Sequence, residues 1–394
     1  MSTTSSLSIR LPGADRRLEN YTLRMATPLV TAAPKRPFTR IAYSAAHVVA
    51  DPVATVDPWI TAAIDWDATI AYRQRLWSLG LGVAEAMDTA QRGMGLDWPT
   101  SLELIRRSLD AARDHPGALV ASGCGTDHLA FDAATTVDDV IRAYEEQMAA
   151  IESLGGRLIV MASRALARLA TGAADYERVY DRILMQSKQP VILHWLGDMF
   201  DPALAGYWGS ADVDTAMATA LGVIAANPGK VDGIKISLLD KDKEVAMRRR
   251  LPAGVRMYTG DDFHYPELIG GDEHGYSDAL LGVFAVIAPA AASALLALDR
   301  GRPERFREIM DDTVPLARRL FWPPTQYYKT GVVFLSWLAG HQSHFVMVGG
   351  LQAARSPAHC ARLLQLADAA GLLPDAELAA ARARAYFAVA GVDQ

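Results

Sequence analysis

Val231-Asp232-Gly233-Ile234-Lys235-Ile236-Ser237 is an apolar run of strand length with a single ammonium in its middle. Helical patterns stand on either side, over 213–226 and 244–251, so the run reads as a strand covered by helices. Such a strand has few places for a charge. The lysine either reaches the open end of a barrel or is paired inside it, and the plainer alternative is a strand-end lysine that snorkels to solvent. In a poorly solvated pocket the charged amine is disfavoured, and its pKa falls from ~10.4 by up to ~3–5 units in the extreme case. The neutral amine can then add to a carbonyl and form a Schiff base.

Working outward, short apolar runs alternate with longer amphipathic ones, the sign of parallel βα repeats. Strands are predicted at 41–46, 83–87, 118–121, 158–161, 190–194, 231–237, 255–259 and within 275–286. The clearest helix follows Thr135-Thr136, where Asp138 and Asp139 complete two capping boxes. Val137, Val140, Ile141, Tyr144, Met148, Ile151 and Leu154 share its buried face, and Gly155-Gly156 ends it. Eight such units close into an α/β fold, a (β/α)8 TIM barrel whose functional groups lie at the carboxyl ends of the strands.

The expected organisation has three parts. Residues 1–37 form an N-terminal extension in which two alternating segments flank Pro12-Gly13, a β-hairpin plugging one end of the main domain. Residues 38–300 form the barrel, and residues 301–394 form C-terminal helices packed on it, with helical stretches over 304–320 and 375–389. The charge-free stretch 279–298 is about as long as a membrane span. Gly282, Pro289 and its many alanines fit a buried strand and helix better.

Composition narrows the function. Hydrophobic residues make up 51% and charged residues 21%, which suits a globular chain with a large core. A net charge of −6 gives no general attraction for nucleic acid or anionic lipid, so neither a nucleic acid nor a membrane is expected as partner. Two cysteines, Cys124 and Cys360, form neither a disulfide framework nor a CxxC motif, and the segment Met1-Ser-Thr-Thr-Ser-Ser lacks the features of a signal peptide. A cytoplasmic location is expected.

With this register the carboxyl ends of the strands gather His47, Thr89 with Gln91, the segment from Cys124 through Gly125 to His128, Ser163, His194, Lys235 and the pair Asp261-Asp262. His194, at the end of the fifth barrel strand, neighbours the lysine of the sixth. An imidazole with a pKa near ~6.5 can carry protons at neutral pH; a core histidine bonded to a backbone carbonyl is the structural alternative.

The order of these pieces resembles the dihydrodipicolinate synthase/N-acetylneuraminate lyase family of class I aldolases, in a divergent uncharacterised bacterial branch known as a domain of unknown function. The resemblance runs over 41–373. Gly233-Ile234-Lys235, followed by Thr259-Gly260-Asp261-Asp262, looks like the family's Schiff-base strand and its glycine-aspartate turn. Pro190-Val-Ile-Leu-His194-Trp195 is similar to the strand that ends in Tyr-Asn, and Gly123-Cys-Gly125-Thr-Asp127 to the glycine-rich end of the third strand. Ile64-Asp65 is similar to the segment starting the first helix. In this chain His194 stands in place of the relay tyrosine, and Asp88-Thr89-Ala90-Gln91-Arg92 stands where the family has Gly-Thr-Thr-Gly-Glu.

The resemblance implies a Schiff-base lyase or aldolase acting on a small carbonyl compound, a keto-sugar or a 2-oxo acid. Lys235 would be the nucleophile, His194 the proton carrier and Thr89 a member of a relay. Asp262, Asp261, Gln91, Gly125, Ser163 and His47 would bind substrate. No cofactor or metal is implied, and relatives form dimers and tetramers, so a homo-oligomer is expected.

Two other readings compete. A metal-dependent sugar isomerase or epimerase would draw its ligands from His47, His194, Asp262, His264, Glu273 and His274, which are acceptable ligand types. A non-catalytic ligand-binding barrel would keep the fold without the chemistry.

Overall fold

The computed structural model describes residues 7–13, 17–25, 29, 34 and 37–394. Strands β1 (Ser8–Pro12) and β2 (Leu18–Thr22) pair antiparallel. The next eight strands, β3 (Ala42–Ala45), β4 (Gly82–Glu85), β5 (Val120–Cys124), β6 (Arg157–Val160), β7 (Val191–Leu196), β8 (Val231–Ser237), β9 (Arg256–Thr259) and β10 (Asp278–Leu281), close into one parallel barrel. Helices connect the strands, giving a (β/α)8 TIM barrel.

Alternation along each strand separates two cores. On β8, Ile234 and Ile236 join the layer between strands and helices, as Leu193 and Trp195 do on β7. Inside the barrel Tyr43, Ala45, Ala84, Ala121, Ile159, Ile192, Tyr258 and Leu280 pack together. The two tyrosine rings fit because small residues face them. A β-carbon on Gly82 would lie 2.7 Å from the Tyr43 ring, and one on Gly233 would lie 2.7 Å from the Tyr258 ring. The Tyr258 hydroxyl donates to Asp232 at 2.7 Å, and Arg256 pairs with Asp278 at 3.0 Å, so the amino end of the barrel is closed by bonded polar groups.

The same parity sends Glu85 outward. Arg73, on the helix Trp66–Ser78, grips it with two 2.9 Å bonds, and both side chains are fully buried. Removing one partner would strand a charge.

The predicted capping boxes resolve to one, formed by Thr136 and Asp139 at the start of the helix Val137–Ser153. The stretch 279–298 becomes β10 and the buried helix Phe284–Asp299, and no described helix is long and apolar enough to cross a membrane. Three details depart from the sequence reading. The stretch 304–320 is two helices, Pro303–Asp311 and Val314–Leu320, because Pro315 has no N–H to continue the first. The hairpin forms but packs on the last two helices, Pro357–Ala369 and Ala376–Val389, rather than plugging the barrel: Tyr21 donates to Asp368 at 2.6 Å and Arg384 to the Ser8 carbonyl at 3.0 Å. Residues 1–6, 14–16, 26–28, 30–33, 35 and 36 of the expected extension lie outside the described residues. Finally, the C-terminal helices bring Phe321 and Tyr328 over the carboxyl ends of the strands, where Tyr328 sits against Gly282.

Candidate active site

Lys235 points into the barrel because it shares the parity of Gly233 and Ser237, opposite to Ile234 and Ile236. It is 8% exposed. In register it stands between His194 on β7 and Tyr258 on β9. Its stem crosses the next strand end so closely that a β-carbon on Gly260 would lie 2.7 Å from Lys235 Cε and 2.3 Å from Ser237 Oγ. Glycine is therefore required there by space.

Around the amine lies a small pocket lined by Thr89, Leu196, Ser237, Asp262, Phe321 and Tyr328, with Asp88 and Met87 on one side. Asp262 Oδ1 accepts from the Val283 amide at 3.0 Å. Burial lowers the Lys235 pKa, while the charges of Asp88 and Asp262 oppose that fall. Burial pushes the Asp262 carboxyl up to about 8. Both shifts favour a neutral amine beside a neutral acid. Burial, followed by the nearby Lys235 charge, holds the His194 pKa well below its ordinary value, so the imidazole is neutral at physiological pH.

Tyr328 is the fully buried partner of Thr89, their hydroxyls 2.5 Å apart. Its ring stacks on Phe321 at 4.4 Å. Burial raises its pKa well above the ordinary phenol value, so it remains a proton donor. The next residue, Lys329, is also buried and places its ammonium 3.7 Å from Asp88.

A larger chamber of about 790 Å³ adjoins this pocket, sharing Met87, Asp88 and Leu196 with it. It opens among the loops after β4 to β7. His194, Gly125, Met161, Phe131, Leu204, Arg92, Arg164 and Arg168 are among its walls.

The predicted residues are distributed over these spaces. Lys235, Thr89 and Asp262 share the small pocket; His194 and Gly125 face the chamber. Gly125 donates its amide to Gln147 at 2.7 Å. Ser163 caps the helix Arg164–Leu169 and bonds Thr126 at 2.6 Å. Asp261, adjacent to Asp262, is engaged in its own turn, accepting from the Phe263 and His264 amides and from His264 Nδ1 at 2.8 Å. Gln91 donates to the Val348 and Met94 carbonyls. His47 Nε2 is 2.7 Å from Gln342 Oε1, and its ring meets Tyr72 edge-on. Sequence reasoning did not single out Asp88 or Phe321.

The six candidate ligands of the metal reading do not converge. His264 pairs with Asp261, His274 with Glu273 at the surface, and His47 with Gln342. Among the described residues no three His, Cys, Asp or Glu side chains are grouped to hold an ion. Cys124 is fully buried, and burial pushes its thiol up to about 12, far from a thiolate nucleophile.

Comparison with solved structures finds the same fold in dihydrodipicolinate synthases. The enzyme of Oceanobacillus iheyensis is 16% identical, with 83% of this chain and 95% of that chain covered at a TM-score of 0.59. That of Bacillus anthracis is 14% identical, with 84% and 98% covered at 0.62. The Acinetobacter baumannii enzyme, solved with pyruvate, is 15% identical, with 84% and 99% covered at 0.61. At these identities the likeness establishes the barrel and not its reaction. No curated protein matches the sequence. The family model described as "Protein of unknown function (DUF993)" matches residues 9–392, a range that contains the barrel and its C-terminal helices, and the chain belongs to that family.

Proposed function

We propose that this protein is a lysine-dependent aldolase or lyase that makes or breaks a bond next to a carbonyl. The observation that carries the reading is that Lys235 lines one small pocket with Asp262 and the Thr89–Tyr328 hydroxyl pair.

The neutral Nζ attacks the carbonyl carbon, and the carbonyl π electrons move to oxygen. Proton transfer to that oxygen lets water leave, which forms an iminium. In the cleavage direction the iminium accepts the electron pair of the adjacent carbon–carbon bond. The hydroxyl on the departing carbon loses its proton to His194 and becomes an aldehyde, leaving an enamine on Lys235. Tyr328, bonded to Thr89, supplies a proton to the enamine carbon, the proton held by His194 replaces the one lost from the tyrosine, and water then hydrolyses the resulting iminium to release the ketone and free the amine. Asp262 lies beside the amine as the group that takes or returns its proton.

Pyruvate is the first probe, since the Acinetobacter enzyme of the same fold was solved with it. Incubation with pyruvate and then with a panel of ketones and keto-sugars, each followed by borohydride and intact-mass measurement, should add one reduced adduct to the wild type and none to Lys235→Ala. Adducts equally abundant in Lys235→Ala, or absent with every carbonyl tested, would overturn the reading.

A further inference from the structure

The lysine pocket and the chamber beside it have different chemistry, and the chamber bears on substrate class. Its volume, about 790 Å³, lies within the ~300–1,000 Å³ typical of small-molecule sites. The polar groups on its wall are largely spent on one another. Arg92 makes two bonds to Asp127, at 2.7 and 3.0 Å, and Arg164 pairs with Asp201 at 2.5 Å. Thr126 is bonded to Ser163, and the Gly125 amide to Gln147. Apart from Asp88, which faces Lys329, and from His194 and Arg168, what remains is apolar: Leu129, Phe131, Met161, Leu196 and Leu204. A polyhydroxylated sugar placed here would lose water while gaining few partners for its many hydroxyls.

One charge on this wall is not spent in that way. Arg168, exposed on the helix Arg164–Leu169, stacks its guanidinium 4.3 Å from the centre of the Phe131 ring and makes no ion pair with a carboxylate among the described residues. The chamber therefore has a buried inner end at His194 and Met87, apolar sides, and a cation at its outer end.

We infer that the larger fragment handled by this enzyme is an apolar-bodied acid, with an aromatic or branched aliphatic body against Phe131 and Met161 and a carboxylate at Arg168, rather than a sugar. The inference deepens the aldolase reading by giving the fragment that lies opposite the Lys235-bound carbonyl. Its test needs no covalent step.

Calorimetric titration with 3-phenylpropionate, which has the body and the acid but no reactive carbonyl, is compared with gluconate, an acid with a polyhydroxylated body. Wild type and Lys235→Ala should bind 3-phenylpropionate alike. Arg168→Ala, a surface change, should weaken it roughly tenfold or more, the size expected for losing a charge-assisted contact. Gluconate should bind detectably more weakly than 3-phenylpropionate. Absence of 3-phenylpropionate binding, equal or tighter binding of gluconate, or an affinity untouched by Arg168→Ala would each overturn the inference. Failure of borohydride trapping at Lys235, with this binding intact, would instead remove the aldolase reading and leave the chamber's ligand class standing.

Discussion

Tyr328, carried on the helix Tyr328–Leu338 of the C-terminal region, shares a 2.5 Å hydrogen bond with Thr89 at the carboxyl end of the second barrel strand, 239 residues earlier. The two hydroxyls stand in the pocket of Lys235, where the family resemblance would have a tyrosine at the position of His194. If Tyr328 delivers a proton, Tyr328→Phe should lower turnover by ~10²–10⁴ while still forming the reduced adduct at Lys235. The comparison of steady-state rate with single-turnover trapping separates this from simple damage, which would lower both.

The amine itself should titrate early. Burial lowers the Lys235 pKa, so the trapping rate should rise with pH and reach half its maximum below the ~10.4 of a free lysine. Asp262 opposes that fall by supporting the cation. Replacing it with a neutral amide removes the support, so Asp262→Asn should move the midpoint further toward acid. A midpoint moved toward alkali would contradict the assigned interaction.

Gly260 gives a purely steric test. Its missing side chain makes room for Lys235 Cε and Ser237 Oγ. Gly260→Ala should cost ~1–3 kcal/mol of stability in a denaturant titration and should displace the amine, slowing adduct formation even where the protein remains folded.

A buried acid outside the site provides a stability signature. Glu244, on the helix Lys241–Arg248, accepts from Thr259 at 2.9 Å and from Ser277 at 2.7 Å, and burial pushes its carboxyl up to about 8. Its folded pKa is above its unfolded one, so the folded state binds the proton more tightly. This contribution is fully present below ~4.3 and is lost as the pH rises to about 8. Melting temperature should fall across that window, and Glu244→Gln should flatten the fall.

The barrel was legible because strands buried on both faces read as short apolar runs, as in 158–161 and 190–194, and the lysine was legible because it interrupts such a run. The register that puts His194 beside Lys235 followed from the same runs. Long-range choices were not legible. Asp261 and Asp262 are adjacent in sequence, yet one caps its own turn and the other faces the amine, a difference set by backbone direction. His47 has its partner Gln342 295 residues away. Tyr328 belongs to an apolar helix whose periodicity is the same whether its first turn packs in a core or roofs a pocket.

Phe321 and Tyr328 roof the lysine compartment, which borders the chamber through Met87, Asp88 and Leu196. A bulkier reactant bound in the chamber would stand beside the lysine compartment and hinder entry from that side. If the aldolase reading and the chamber's ligand class both hold, binding should be ordered, with the compact ketone entering first and leaving last, and excess bulky acid should act as a dead-end inhibitor of the empty enzyme, an order that product-inhibition kinetics reads directly.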